Sequence, residues 1–219
     1  MSDALAVSFA RGSLDVQQRF ATPLIVVQVN EAEALKAELS DLILRRAAED
    51  AGVHRSKEGG WQSDADFETW GGSSVTALLD SAKALASHFT GLDDGGGVAQ
   101  VTMDWRMNAW ANVNDPGHSN RPHHHPAAFW SGVYWIDDGG DPDLDPSGEF
   151  VMSDPRGVLP AFYAPRLRYM TPGGLSAGRE DFIEPRTGTM VLFPSWLIHA
   201  VRPYRGRRKR LSIAFNLSV

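Results

Sequence analysis

The spacing of apolar positions changes along this chain, and with it the predicted structure. Residues 23–29, PLIVVQV, set β-branched residues in a row after a proline and predict a strand. Over 31–50, Leu35, Leu39, Leu42, Ile43 and Ala47 recur at helical intervals with charges between them, which predicts an amphipathic helix. Residues 54–73 are polar, with Gly and Trp among them, and read as a loop. Ser74 is the expected N-cap of a second helix running to about Phe89. Its apolar face would hold Leu78, Leu79, Ala82, Leu85 and Phe89. GLDDGGG at 91–97 reads as a flexible turn.

From residue 98 the runs are short and rich in β-branched and aromatic residues: VAQVTMDWRMNAWANV, AAFWSGVYWI, GEFVMS, RLRYM, TMVLFPSW, HAVRP and RLSIAFNLSV. Gly, Pro, Asp and Asn clusters separate them. Two helices followed by many short strands predict helices packed outside an antiparallel β barrel or sandwich. At 219 residues the chain suffices for one substantial core. It is expected to be a single domain, with an N-terminal strand and helical support over 1–97 and the β core over 98–219.

Composition narrows the chemistry. The chain has no cysteine, so disulfides, thiol nucleophiles and cysteine-ligated metal centres are excluded. Any metal must be held by His, Asp or Glu. A net charge of −6 gives no general attraction to nucleic acid or anionic lipid. The basic block GRRKR at 206–210 is too short to change that. No nucleic-acid partner and no membrane association are expected, and a homodimer is the ordinary expectation for assembly. The N-terminus lacks a secretory pattern and no run is long enough to span a bilayer, so a cytoplasmic location is expected.

Three places carry candidate chemistry. In His123-His124-His125-Pro126, an extended strand would turn His123 and His125 to one side and His124 to the other. Two imidazoles on one strand face can grip one metal ion. A glycine turn at Gly188 leads into an apolar strand, a Phe193-Pro194-Ser195 turn follows, and His199 opens the next strand. In Arg210-Leu211-Ser212, alternation puts Arg210 and Ser212 on one face, where a guanidinium fork and a hydroxyl can receive a carboxylate.

These segments, in this order, resemble the 2-oxoglutarate/iron(II)-dependent oxygenase superfamily. More narrowly, they resemble a bacterial and phage group of oxygenases. The resemblance rests on Trp110-Ala111-Asn112, His123 to Pro126, Ser131-Gly132-Val133-Tyr134-Trp135, Asp154-Pro155-Arg156, Phe193 to His199, and Arg210 to Asn216. It covers the sequence from about residue 105 onward. It implies a mainly β fold with flanking helices, the double-stranded β-helix or cupin-like jelly roll. It also implies iron(II), 2-oxoglutarate as cosubstrate and O2, with 2-oxoglutarate converted to succinate as a substrate is hydroxylated.

On that resemblance His123, His125 and His199 are the metal ligands. Arg210, Ser212 and Tyr134 would bind the far carboxylate of 2-oxoglutarate, and Trp110, Asn112 and Trp130 would stand at the substrate mouth. The superfamily's usual proximal pair is H-x-D or H-x-E, whereas this chain has His125 in the second place. Three ligand sets are compatible with that departure: three histidines, two histidines with water, or two histidines with a distant carboxylate such as Asp154. The first is preferred, because strand alternation needs no further assumption. The competing functions are a cupin-like, metal-dependent, non-oxidative enzyme and a non-catalytic binding module. The former has no need of a carboxylate fork at Arg210; the latter would be supported by loss of ligands, yet His123, His125 and His199 are all present. The substrate, whether a small molecule or a protein side chain, is not written in these motifs. The acidic segment 137–149 and the loop 54–73 are expected to frame the pocket entrance.

Overall fold

A computed structural model describes residues 20–53, 55–140, 147–158, 162–169 and 178–219. The first elements are strand β1 (Ile25–Gln28) and helix α1 (Ala32–Glu49), followed by two short strands, β2 (Lys57–Glu58) and β3 (Trp61–Gln62). A helical turn, α2 (Phe67–Trp70), leads into helix α3 (Gly72–His88) and a hairpin, β4 (Gly91–Asp93) and β5 (Val98–Gln100). Next come β6 (Arg106–Asn114), β7 (Ser119–His123), β8 (Trp130–Asp137) and β9 (Phe150–Ser153). The last four strands are β10 (Glu180–Ile183), β11 (Thr189–Pro194), β12 (His199–Val201) and β13 (Arg210–Ser218).

The strands form a six-stranded sheet in the order β1-β11-β8-β13-β6-β3 and a five-stranded sheet in the order β10-β9-β12-β7-β2. From β6 to β9 successive strands alternate between the two sheets, and β11, β12 and β13 alternate again. All of the paired strands run antiparallel. This is the double-stranded β-helix, as the resemblance implied.

The larger sheet has two different faces. Leu211, Ile213, Phe215 and Leu217 of β13 point outward with Ala109, Ala111 and Val113 of β6 and Trp130, Tyr134 and Ile136 of β8. They pack beneath Leu35, Leu39 and Ile43 of α1 and Val75, Leu78, Leu79, Ala82 and Ala86 of α3. On the inner face, Trp135, Val191 and Phe193 meet Phe150 and Met152 of the smaller sheet. Gly132 makes the outer packing possible where Phe215 crosses it. A Cβ at Gly132 would lie 2.3 Å from the Phe215 ring.

Several sequence expectations are corrected here. The stretch expected to be loop after residue 54 contains β2, β3 and α2 (His54 itself lies outside the described residues). Each of the two strands is two residues long, too short to show a period. Ser74 is not a cap. Helix α3 starts earlier, at Gly72 after Gly71, and the Ser74 hydroxyl donates to Glu38 across to α1, at 2.7 Å. Phe89 is about half exposed, while Val75 and Ala86 complete the apolar face instead.

The turn at 91–97 extends into the β4–β5 hairpin, whose residues are all exposed, so after α3 the sheet strands resume at Arg106 rather than at 98. RLRYM forms no strand within its described residues, and Met170 lies outside them. β7, of sequence SNRPH, and β10, of sequence EDFI, carry no apolar alternation that would have revealed them. Among the described residues no helix is long and apolar enough to cross a membrane.

Leu39 is fully buried where α1 crosses the sheet. Leu39→Ala is expected to lower the unfolding free energy by about 2–5 kcal/mol, from lost transfer energy plus the cavity left behind. Urea denaturation checks this. A loss under about 1 kcal/mol, the scale of a surface substitution, would mean that α1 is not part of the core.

Candidate active site

β12 lies between β9 and β7 in the smaller sheet, and its pairing places His199 directly opposite His123. The two imidazole centroids are 4.3 Å apart. His125 lies two residues beyond the end of β7. Its backbone N–H donates to the Ser195 carbonyl at 2.9 Å, which ties it to the turn before His199. Its ring stands 5.1 Å from both His123 and His199. The potential ligand atoms of the three all lie within 4.8 Å of one another. Among the described residues this is the group of His, Asp or Glu side chains that could hold a metal ion.

Hydrogen bonding fixes which nitrogens are available. Nδ1–H of His123 donates to the Arg121 carbonyl at 2.7 Å, and Nδ1–H of His199 donates to the Leu197 carbonyl at 2.8 Å. A carbonyl can only accept, so each Nε2 keeps its lone pair, the tautomer a metal ligand needs. Burial also keeps the rings neutral. Desolvation first, then the neighbouring histidines, bring His125 down to about 4. Desolvation brings His199 down to about 3, helped by His123 and opposed by the Leu197 hydrogen bond. His123 is lowered too, mainly by desolvation.

The histidines open onto a cavity of about 220 Å³ between the two sheets. Its walls include Trp110 and Asn112 of β6, Val133 and Trp135 of β8, Phe150, Phe193, and Arg210 and Ser212 of β13. Arg210 is 3% exposed. Its Nη1 donates to the Gly148 carbonyl at 2.7 Å, and its guanidinium lies over the Tyr204 ring, 5.1 Å from the centroid. Its Nε has no hydrogen-bond partner among the described residues. Burial pulls the guanidinium down to about 10, so it stays charged at neutral pH. A buried cation with an unused donor, facing a cavity, invites an anion. The Tyr204 hydroxyl bonds to the carbonyls of Gly139 and Arg208, at 2.7 and 2.8 Å, which holds the ring under the guanidinium.

Not every expected site residue arrives there. Tyr134 is fully buried on the other face of β8, in the core beneath α1. Burial, then Glu33 and Glu31, push its hydroxyl up to about 12. Period-two alternation turns Val133 and Trp135 to the cavity and Tyr134 away from it, so Tyr134 does not line the cavity. Trp130 is likewise a core residue, its Nε1 donating to Thr90 at 2.9 Å.

Asp154 is engaged by its own turn. It accepts from the Arg156 backbone at 2.9 Å, pairs with the Arg156 guanidinium at 2.6 Å and accepts from the Gly178 N–H at 2.7 Å. It does not belong to the histidine group. Of the acidic segment expected at the entrance, residues 141–146 lie outside the described residues. Gly148 is a cavity residue that the motif reading missed, since its contribution is a backbone carbonyl.

Residues 108–216, about half of the sequence, match the family described as "Putative 2OG-Fe(II) oxygenase". The chain belongs to the 2-oxoglutarate/iron(II)-dependent oxygenases. Solved structures agree on the fold. A prolyl-4-hydroxylase from Pseudomonas putida is 19% identical, with a TM-score of 0.58 over 89% of this protein and 91% of that one. A prolyl hydroxylase from Trichoplax adhaerens, solved with a hypoxia-inducible-factor peptide, is 10% identical, with a TM-score of 0.60 over 89% and 83%. HygX from Streptomyces hygroscopicus, solved with nickel and 2-oxoglutarate, is 13% identical, with a TM-score of 0.54 over 90% and 83%. No curated protein matches the sequence.

The depressed histidines give this oxygenase a defined acid response. In the unfolded state the imidazoles protonate near 6.5, whereas His125 and His199 of the folded protein resist until about 4 and about 3. Their contribution to stability is complete above 6.5 and is lost as pH falls from there through the folded values. Chelator-treated protein should therefore weaken over that window, and His199→Gln should weaken less steeply. Urea midpoints measured across the range test this, and equal slopes for the two proteins would contradict it.

Proposed function

We propose that the protein is a hydroxylase in which His123, His125 and His199 hold iron(II), while Arg210 and Ser212 hold 2-oxoglutarate. The observation that carries this reading is convergence. Three neutral imidazoles and a buried guanidinium with an unused donor, drawn from distant parts of the sequence, border one cavity. Imidazole suits divalent iron, and a ligand set confined to one side leaves positions open for cosubstrate and oxygen. The Nδ1 bonds of His123 and His199 to carbonyls orient both rings toward a shared ion. Asp154 is spoken for by its own turn, which favours three histidines over a histidine–carboxylate set.

When bound, iron(II) and 2-oxoglutarate together supply the oxidant, using O2 and releasing succinate and carbon dioxide. The protein does the positioning. Arg210 gives charge-assisted hydrogen bonds to the far carboxylate from the buried end of β13. Ser212, one strand repeat closer to the histidines, adds a hydroxyl on the same face. Tyr204 and the Gly148 carbonyl keep the guanidinium from collapsing onto other partners. Trp135, Phe150 and Phe193 form a dry wall beside His199, where stray water would otherwise compete.

Succinate release from 2-oxoglutarate, with iron(II) and air, tests the reading. His199→Ala should abolish it. Arg210→Ala should raise the KM for 2-oxoglutarate by about a hundredfold, the scale of one or two hydrogen bonds to a charged group. Arg210→Lys should recover part of that loss, since it keeps the charge without the fork. Iron-loaded protein that neither binds nor turns over 2-oxoglutarate would end the proposal.

Gly148 offers a separate check. It has φ +68°, and a Cβ there would lie 2.2 Å from Arg210 Nη1. Gly148→Ala should therefore raise the same KM by displacing the arginine, while iron affinity, read by competition with a chelating dye, holds.

A further inference from the structure

The floor of the cavity is polar at both ends, but the kind of polarity changes from one end to the other. β6 and β13 set Asn114 opposite Arg210, Asn112 opposite Ser212, Trp110 opposite Ala214, and Asn108 opposite Asn216. Each step of two residues advances about 7 Å along the strands. The Arg210–Asn114 end is buried, and Asn108 at the other end is exposed. Trp110 stands 5.8 Å from His125, so the histidines lie over the third pair of this series. Asn108 and Asn216 come one step farther out, on the side away from Arg210. The cosubstrate end and the substrate end of the cavity are thereby distinguished.

The open end has a definite chemistry. Ser131 donates to Asn216 Oδ1 at 2.7 Å, which leaves the Asn216 amino group for the cavity. Asn108 adds a second side-chain amide directly across the strand pair. Together they offer donors and an acceptor abreast, as a strand edge does, which is what a main-chain peptide group pairs with. No Asp or Glu is among the described residues lining the cavity, so a cationic side chain would find no counter-charge.

Two exposed aromatic residues lie on neighbouring segments of the chain, although neither is among the residues lining the cavity. Phe129, whose N–H donates to the Leu217 carbonyl, is 54% exposed. Trp196, next to the Ser195 that bonds to both Phe129 and His125, is 52% exposed. Size adds a further constraint. The cavity, at about 220 Å³, is smaller than the roughly 300–1,000 Å³ that encloses a drug-sized molecule. With 2-oxoglutarate at the Arg210 end, the remainder suits a single amino-acid side group better than a whole small molecule.

We propose that the substrate is an extended polypeptide segment, held through a main-chain amide by Asn108 and Asn216 and presenting one uncharged side chain to the three histidines. The proposal rests on the iron(II)/2-oxoglutarate reading above. The reaction balances as R–H (one C–H bond of the presented residue), O2 and 2-oxoglutarate giving R–OH, succinate and carbon dioxide. One oxygen atom enters the modified residue and the other enters succinate. Two of the four electrons that reduce O2 come from the C–H bond and two from 2-oxoglutarate.

The test incubates the full-length protein, with iron(II), 2-oxoglutarate and air, with two separate pools. One is a degenerate pool of end-blocked peptides without charged residues. The other is a pool of free amino acids, monosaccharides and aminoglycosides. The expected result is a gain of one oxygen atom by peptides, seen by mass spectrometry, with succinate in step. In the Asn108→Ala/Asn216→Ala double variant the peptide KM should rise about tenfold to a hundredfold, the scale of two neutral hydrogen bonds, with a smaller change in kcat. Asn108 is exposed, so Asn108→Asp provides a second variant that keeps the fold and loses the amino donor; its peptide KM should also rise.

Oxygen gain confined to the small-molecule pool overturns the proposal. So does peptide turnover indifferent to both variants, and so does succinate formation with no peptide modified. Absence of succinate under every condition instead sinks the underlying oxygenase reading.

Discussion

The antiparallel pairing of β12 with β7 is the constraint from which the site follows. It seats His199 against His123 through the backbone pairing of the two strands, just before the register shifts between His199 and Val201. A one-residue slip of β12 would turn His199 out of the cavity and put Ala200 in its place. β9 on the other side of β12 holds that register, with His199 opposite Met152 and Val201 opposite Phe150. The Ser195 carbonyl then draws His125 into line from beyond the strand. The cluster is thus a product of sheet geometry, and the imidazoles tolerate their mutual crowding because burial keeps them uncharged.

The electrostatics of the cavity have one sign. The described lining contains Arg210, the exposed Arg55 and the histidines, and no carboxylate. Negative charge has to come with whatever binds. On the proposed reading, a dicarboxylate would supply it at both ends of the space between Arg210 and the histidines. Such a ligand would account for a guanidinium that is 3% exposed with one donor unused among the described residues. Tyr204 and Gly148 hold it where an incoming anion completes the set, so little reorganisation is needed when that anion arrives.

Much of this was legible in the sequence, for identifiable reasons. Arg210-x-Ser212 lies on a long strand with clean alternation, so its shared inward face could be read directly. The histidines carried their own signal through residue type and order. His125 reached the cluster for a different reason than strand alternation, since β7 ends at His123 and a backbone bond places the later residue. Tyr134 failed because alternation says which residues share a face but not which face is inward. Tyr134 sits in a strand whose two faces are both apolar, with Trp130 and Ile136 on one and Val133 and Trp135 on the other. Gly148 was invisible, since what it contributes is a main-chain oxygen and room for a guanidinium. The polar strand β7 was hidden because Asn120 and His123 line the cavity, so no apolar alternation marks it.

β6 and β13 each divide their labour by residue parity. Odd-numbered positions of both strands, such as Ala111, Ile213 and Phe215, lie in the helix-side core, and even-numbered positions, from Asn108 to Asn114 and from Arg210 to Asn216, line the cavity. Mutational drift at Asn108, Trp110 or Asn216 therefore leaves the helix-side packing untouched. A lineage could retarget this scaffold by exchanging a few even-numbered side chains near the mouth, while its odd-numbered partners keep the protein folded throughout the transition.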